Sequence, residues 1–190
     1  MTFDFSECSD GELATLALAG RQLAFGELVR RHRERLYRLV RAHIGDTDEA
    51  LDVTQATFVA AFGALKRYDP DRPFQAWLSR IAINKCRDWR RRRLVRKFFT
   101  FASPLGDAVD LTDPAPRPDQ AVEAAEEFQR VMSAIAALPT SLKEPLVLRT
   151  LEEKSELETA DILGISPKAV ETRLYRARRR LAEKLGKPEG

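Results

Sequence analysis

The chain has 190 residues, 44% of them hydrophobic and 32% charged, which gives apolar material for small compact cores but no run long enough to span a membrane. Its net charge of +3 is unevenly placed, with +4 over residues 1–93, −4 over 94–128 and +3 over 129–190, so two basic lobes flank an acidic middle. Cys8 and Cys86 lack metal-like or disulfide-framework spacing, and the opening MTFDFSECSD is acidic rather than basic and apolar, so no secretory leader is expected and the chain reads as cytoplasmic.

Taken in order, the elements are helical throughout. Asp10 is placed to cap a first helix carrying Leu13, Leu16 and Leu18, which Gly20 ends. A second helix from about Leu23 has Phe25, Leu28, Val29, Leu36, Val40 and Ile44 as its apolar stripe and Gly45 as its stop. Asp46 or Thr47 can cap a third helix with Leu51, Val53, Phe58, Ala61, Phe62 and Leu65 inside. Residues 68–73, YDPDRP, make a stiff polar loop, after which Phe74, Trp77, Leu78, Ile81 and Ala82 begin a fourth helix on a 3,4 spacing. No segment alternates with period two, so the chain is expected to be all-α.

The fourth helix ends in NKCRDWRRRRLVRK, which gathers Asn84, Lys85, Arg87, Trp89 and a basic run through Arg90 and Arg91 to Arg93. Such a surface attracts phosphates; an asparagine adds a donor and acceptor for a base edge, and Trp89 or Tyr68 is a ring on which an unpaired base can stack. The competing account, core tryptophans beside a solvated basic helix end, is favoured for Trp77 and left open for Trp89. Residues 100–119 then change character, with Pro104, Gly106, Pro114, Pro116 and Pro118 among four aspartates. This is linker composition, and two domains are expected, 1–95 and 121–187, joined by a flexible acidic linker over 96–120.

Residues 162–185, ILGISPKAVETRLYRARRRLAEKL, read as the turn and second helix of a helix-turn-helix. Gly164 suits the left-handed residue that ends one helix, Ser166 can cap the next, and Pro167 fits its first position. Thr159, Ala160, Ile162 and Leu163 supply the preceding short helix. Val170, Leu174, Ala177 and Leu181 form a buried stripe, leaving Lys168, Glu171, Thr172, Arg173, Tyr175, Arg176, Arg179 and Arg180 on the other faces, the layout of a DNA recognition helix. A basic amphipathic helix that merely faces solvent is the alternative, and the Gly-x-Ser-Pro junction argues against it.

Five segments in order, AFGELVRRHRERLYRLV, DVTQATFVAAFGALKRYD, FQAWLSRIAINKCRDWRRRR, ALPTSLKEPLVLR and LGISPKAVETRLYRARRRL, resemble a bacterial RNA polymerase sigma factor of the extracytoplasmic-function group, over nearly the whole chain. The resemblance implies a region 2 helical bundle and a region 4 helix-turn-helix. It implies that the helix around Asp52, Gln55 and Thr57 binds core RNA polymerase. Lys66, Tyr68, Asn84, Arg87, Trp89, Arg90 and Arg91 would capture the melted −10 strand. Lys168, Glu171, Thr172, Arg173, Arg176 and Arg179 would serve the −35 duplex, with Glu171, Thr172 and Arg176 toward base edges and Lys168, Arg173 and Arg179 toward phosphates. An anti-sigma factor is the further partner implied, and no cofactor or metal. Two positions depart from the family pattern: residues 153–156 read EKSE where a glycine commonly precedes the serine, and Glu171 stands where a neutral or basic residue is common.

Two rival functions are weaker. Catalysis finds no support, since His32 and His43 stand without a paired carboxylate or cysteine nearby in sequence, no glycine loop cradles phosphate, and Asp69 with Asp71 reads as a polar turn. A dimeric regulator independent of polymerase would share the helix-turn-helix but leave the Asn84 and Asp52 surfaces without a purpose.

Overall fold

The computed structural model describes residues 4–101 and 120–186. Over these residues it is helical, without strands, and the polypeptide forms two packed helical units. The N-terminal unit contains α1 (Asp10–Leu18), α2 (Gln22–Ile44), α3 (Thr47–Ala64), a 3-10 turn (Leu65–Arg67) and α4 (Phe74–Phe101). The C-terminal unit contains α5 (Gln120–Ala136), α6 (Thr140–Thr150), α7 (Glu156–Leu163) and α8 (Pro167–Leu185). The greater part of the expected linker lies outside the described residues.

Local signals explain most boundaries. Gly45, with φ of +86°, ends α2 in the left-handed region, and the Asp46 carboxylate accepts from the Glu49 amide at 2.9 Å to start α3. The first cap is Ser9 rather than Asp10: its hydroxyl accepts from the Glu12 amide while Glu12 accepts from the Ser9 amide, a reciprocal capping box that places Asp10 inside the helix. The fourth helix runs past residue 95 to Phe101, beyond the expected edge of the N-terminal domain.

Helix α2 is the spine of the N-terminal unit, packed against α1, α3 and α4. Leu28, Leu36, Leu39, Val40, Leu78 and Phe74 are almost fully buried there. In the C-terminal unit α8 packs on α5, α6 and α7, burying Val170, Leu174 and Ala177 as its spacing predicts. The units also meet each other. Helices α5 and α6 lie on α2, α7 lies on α4, and the buried apolar residues of both form one continuous cluster. Leu51 and Phe62, expected inside, are 56% and 50% exposed.

Candidate nucleic-acid interface

The turn before α8 is built as its sequence dictates. Gly164 holds φ of +67°, the Ser166 hydroxyl accepts from the Ala169 amide at 3.2 Å, and Pro167 takes the first helical position, where an amide hydrogen would have no partner. With Val170, Leu174 and Ala177 turned inward, Lys168, Glu171, Thr172, Tyr175, Arg176, Arg179 and Arg180 are exposed and Arg173 is half-buried. Neighbouring groups hold some of them: Lys168 pairs with Glu171, the Thr172 hydroxyl donates back to the Lys168 carbonyl at 2.9 Å, and Arg179 pairs with Glu183 at 3.2 Å. Arg176, Arg179 and Arg180 line a polar hollow with Ser141 of α6.

The expected strand-binding residues, on α4 and in the turn and loop before it, divide. Lys66, Asn84, Arg87, Arg90 and Arg91 are exposed; Arg87 pairs with Glu144 at 2.6 Å, Arg90 donates to the Thr140 hydroxyl, and Arg91 pairs with Asp88 at 3.0 Å. Tyr68 is only 7% exposed; its hydroxyl donates to the Arg72 carbonyl at 2.6 Å and its ring packs on Phe74 and Trp77, so it is a core residue rather than a stacking platform. The reason is the YDPDRP loop, which folds back and needs that hydroxyl to close it. Trp89 is also engaged, its indole N–H donating to Glu49 of α3 while the Arg93 guanidinium lies over its ring at 5.2 Å. It ties α4 to α3 instead of presenting a bare ring.

Asp52 and Gln55 of α3 are exposed and stand at the rim of an apolar groove lined by Phe25, Val29, Leu51, Phe58, Val59 and Phe62. Thr57 belongs to the opposite face. It is 0% exposed and its hydroxyl donates to the Val53 carbonyl at 2.7 Å, so it corrects to an interior residue with no free polar group to offer a partner. Three residues of the groove, Leu51, Val59 and Phe62, are more exposed than large apolar side chains usually remain without a partner surface, while Phe25 is half-buried against the core.

A feature that hydrophobic spacing does not disclose is the polar seam between the units. Three charged side chains of the C-terminal unit are buried in it. Glu144 receives Arg87 of α4 through two bonds of 2.6 Å, Nε to Oε1 and Nη2 to Oε2. Lys143 donates to the His43 carbonyl at 2.8 Å and to the Ala136 carbonyl. Glu152, whose carboxylate is fully enclosed, accepts from Gln75 at 2.6 Å and from Arg35 at 3.2 Å. The line continues outward, since the Gln75 carbonyl oxygen lies 2.7 Å from His32 Nδ1, and His32 Nε2 lies 2.8 Å from Asp10. Burial raises the Glu152 carboxyl, lowers Lys143 to about 8 and pushes the Cys86 thiol up to about 12, which leaves Cys86 an unreactive thiol. The available signal was the charge pair Lys143-Glu144 set between Leu142 and the apolar run from Pro145 to Leu148.

Among the described residues no group of three metal-ligating side chains converges, and no helix is long and apolar enough to cross a membrane. Residues 28–95 match the sigma-70 region 2 family and residues 128–181 the sigma-70 region 4 family. The chain is 46% identical to the RNA polymerase sigma factor CnrH of Cupriavidus metallidurans, over 93% of this chain and 94% of that protein. It is 33% identical to the extracytoplasmic-function sigma factor SigM of Mycobacterium tuberculosis, over 95% and 86%. Among solved structures it superposes on CnrH in complex with the cytosolic domain of CnrY with a TM-score of 0.68 and 38% identity, covering 93% of this chain and 97% of that one.

Proposed function

The chain belongs to the sigma-70 family of RNA polymerase sigma factors, in its extracytoplasmic-function group, and we propose how its surfaces divide the work of promoter-specific initiation. Residues 1–95 serve core polymerase and the −10 element, residues 121–187 serve the −35 element, and the acidic stretch of residues 96–120 tethers them. Polymerase docks on α3, where Asp52 and Gln55 offer polar contacts beside the apolar groove. Exposed Lys66, Asn84 and Arg91, joined by Arg87 and Arg90, hold the melted −10 strand, with cations for phosphates and an amide for a base edge. Arg176, Glu171 and Thr172 read base edges in the −35 major groove; Arg176 suits a guanine and Glu171 a cytosine amino group, while Lys168, Arg173 and Arg179 hold phosphates.

The observation that carries this division is the pairing, on one chain, of a capped recognition helix that exposes Lys168, Glu171, Thr172, Arg176 and Arg179 and a separate basic helix end next to an uncovered apolar groove. Tethering both DNA contacts to polymerase raises the effective concentration of the second after the first is made. No step requires covalent chemistry from the protein, and its work belongs in the cytoplasm with the polymerase. A regulatory partner of the anti-sigma kind, by analogy with CnrY on CnrH, would compete for the same α3 groove.

The test is transcription by purified bacterial core RNA polymerase on fragments of the source genome, with and without this protein, mapping RNA start sites. New starts sharing upstream elements near −35 and −10 support the assignment. Binding to a palindromic duplex without polymerase, and no new starts, would support the dimeric regulator instead.

A further inference from the structure

We infer that α1 is a positioning element for the melted strand: it braces the loop of residues 68–73 so that Lys66 and Asn84 are held at one fixed separation. This rests on the −10 role proposed for Lys66 and Asn84. The two stand on either side of that loop, Lys66 in the 3-10 turn before it and Asn84 on α4 after it, so the path of the loop sets where one lies relative to the other. Helix α1 itself precedes the residues 28–95 that match the region 2 family, and it carries none of the proposed DNA contacts.

Attachments to α1 hold the loop at its middle and at both ends. At the middle, a Cβ on Gly11 would lie 2.8 Å from the Pro70 carbonyl oxygen and 3.3 Å from Pro70 Cβ, so helix and loop touch at a place that only glycine leaves open. Gly11 lies within the helix and outside the left-handed region, so space rather than a turn accounts for it. Glycine weakens a helix relative to alanine, which makes the close approach the reason for its presence there. At one end of the loop, α1 packs on the 3-10 turn that carries Lys66. At the other, His32 Nε2 lies 2.8 Å from Asp10 of α1 and its Nδ1 2.7 Å from the Gln75 carbonyl oxygen in the first turn of α4.

The brace is itself anchored. Arg31 of α2 donates to the carbonyls of Phe5, Ser6 and Cys8 at 2.9, 2.8 and 2.7 Å and reaches Asp10 at 3.3 Å, while Leu13, Ala14 and Ala17 are buried. On the loop's inner side the Tyr68 hydroxyl closes it on the Arg72 carbonyl, and the Tyr68 ring packs edge-on to Phe74. The loop is thus gripped between the core and α1. A loop free to swing would present Lys66 and Asn84 in register only part of the time, and the apparent affinity for the strand would fall by that fraction. Holding the loop in its binding geometry beforehand removes that loss.

The experiment uses holoenzyme assembled from purified core RNA polymerase and the parent chain, Gly11→Ala, Asn84→Ala or Gly26→Ala, the last a control because a Cβ at Gly26 of α2 meets open space. Anisotropy reads the affinity for a labelled thymine-rich single strand and for a mixed-sequence duplex, and titration with core polymerase reads docking. Gly11→Ala should bind the single strand about tenfold more weakly, as the competent fraction falls from near one to near one in ten. Its affinities for duplex and for core polymerase should match those of Gly26→Ala. Single-strand binding equal to the control overturns the brace. Asn84→Ala then shows whether the −10 reading falls with it, because that reading requires Asn84→Ala to bind the strand more weakly whatever α1 does. Equal losses by Gly11→Ala toward strand, duplex and core polymerase would make Gly11 a residue of stability alone and also overturn positioning. Should Gly11→Ala lose its helical circular dichroism, Asp10→Asn decides: it keeps the side-chain shape but gives up the charge that meets Arg31 and His32, and positioning requires it to weaken the single strand while duplex and core binding stay intact.

Discussion

His43 and Lys143 meet across the seam, Lys143 Nζ donating to the His43 carbonyl at 2.8 Å while the His43 ring lies buried beneath, its Nδ1 2.8 Å from the Leu39 carbonyl. That contact makes Nδ1 the donor and leaves Nε2 enclosed without a partner, so the ring is neutral. Burial first, and Lys143 with it, lowers the ring to about 4 from an ordinary 6.5. A folded value below the unfolded one gives stability that is present above pH 6.5 and lost as pH falls through 4. The loss amounts to roughly 3 kcal/mol. Glu152 acts in the opposite sense, because its raised value favours the protonated folded form as pH falls. Comparison with the parent removes that second effect. His43→Leu should flatten the fall in melting temperature between pH 6.5 and 4; a parallel pH profile would show that His43 is not the titrating group.

Glu153 holds φ of +51°, the sole non-glycine residue in that region among those described, at the turn between α6 and α7. This is the neighbourhood where the family pattern has a glycine and this sequence does not. A side chain in left-handed backbone is disfavoured by about 1 kcal/mol, partly offset because glycine has more freedom to lose on folding. Glu153→Gly should therefore raise stability by roughly 0.5 kcal/mol, read from denaturant midpoints at unchanged slope. Loss of stability would mean that the Glu153 side chain contributes more than its backbone costs.

Asp52 and Thr57 lie close in sequence on opposite faces of α3, which separates a contact role from a structural one. Asp52→Lys should weaken binding to core polymerase about tenfold, equivalent to about 1.4 kcal/mol, without moving the melting temperature. Thr57→Val removes an intrahelical bond from a buried site and should leave polymerase affinity unchanged. Equal losses in the two variants would place the docking surface elsewhere.

Where the sequence was legible, the signals were local. Gly45, Gly164, Ser166 and Pro167 each mark a boundary through their own backbone or side-chain chemistry, and the Val170, Leu174, Ala177 stripe follows from helical period alone. What escaped depends on contacts between distant segments. Tyr68 and Trp89 have the composition of a stacking surface, but the Arg72 carbonyl and the Glu49 carboxylate claim their polar ends. Leu51 and Phe62 fit an inward stripe by period yet border a groove, because the helix is apolar on more than one face. Thr57 reads as polar by type and is interior by register. The Glu144, Lys143 and Glu152 seam required knowing that α6 faces α2 and α4, which no local pattern states.

Recognition by α8 separates into base and phosphate contacts that salt distinguishes. Arg176 is exposed and forms no ion pair with the described residues, whereas Arg179 pairs with Glu183 and Lys168 with Glu171. Arg176→Ala, in holoenzyme on a −35 duplex, should cost about 1–3 kcal/mol and relax preference at one base pair. Arg179→Ala should weaken all sequences alike and reduce the slope of log affinity against log salt by about one. Glu171→Gln releases Lys168 and removes a negative charge from the groove, so it should strengthen binding to unrelated duplexes while eroding any preference for cytosine at its base. If Arg176→Ala and Arg179→Ala instead change the salt slope equally and leave sequence preference intact, both arginines serve phosphates, and base reading falls to Glu171 and Thr172.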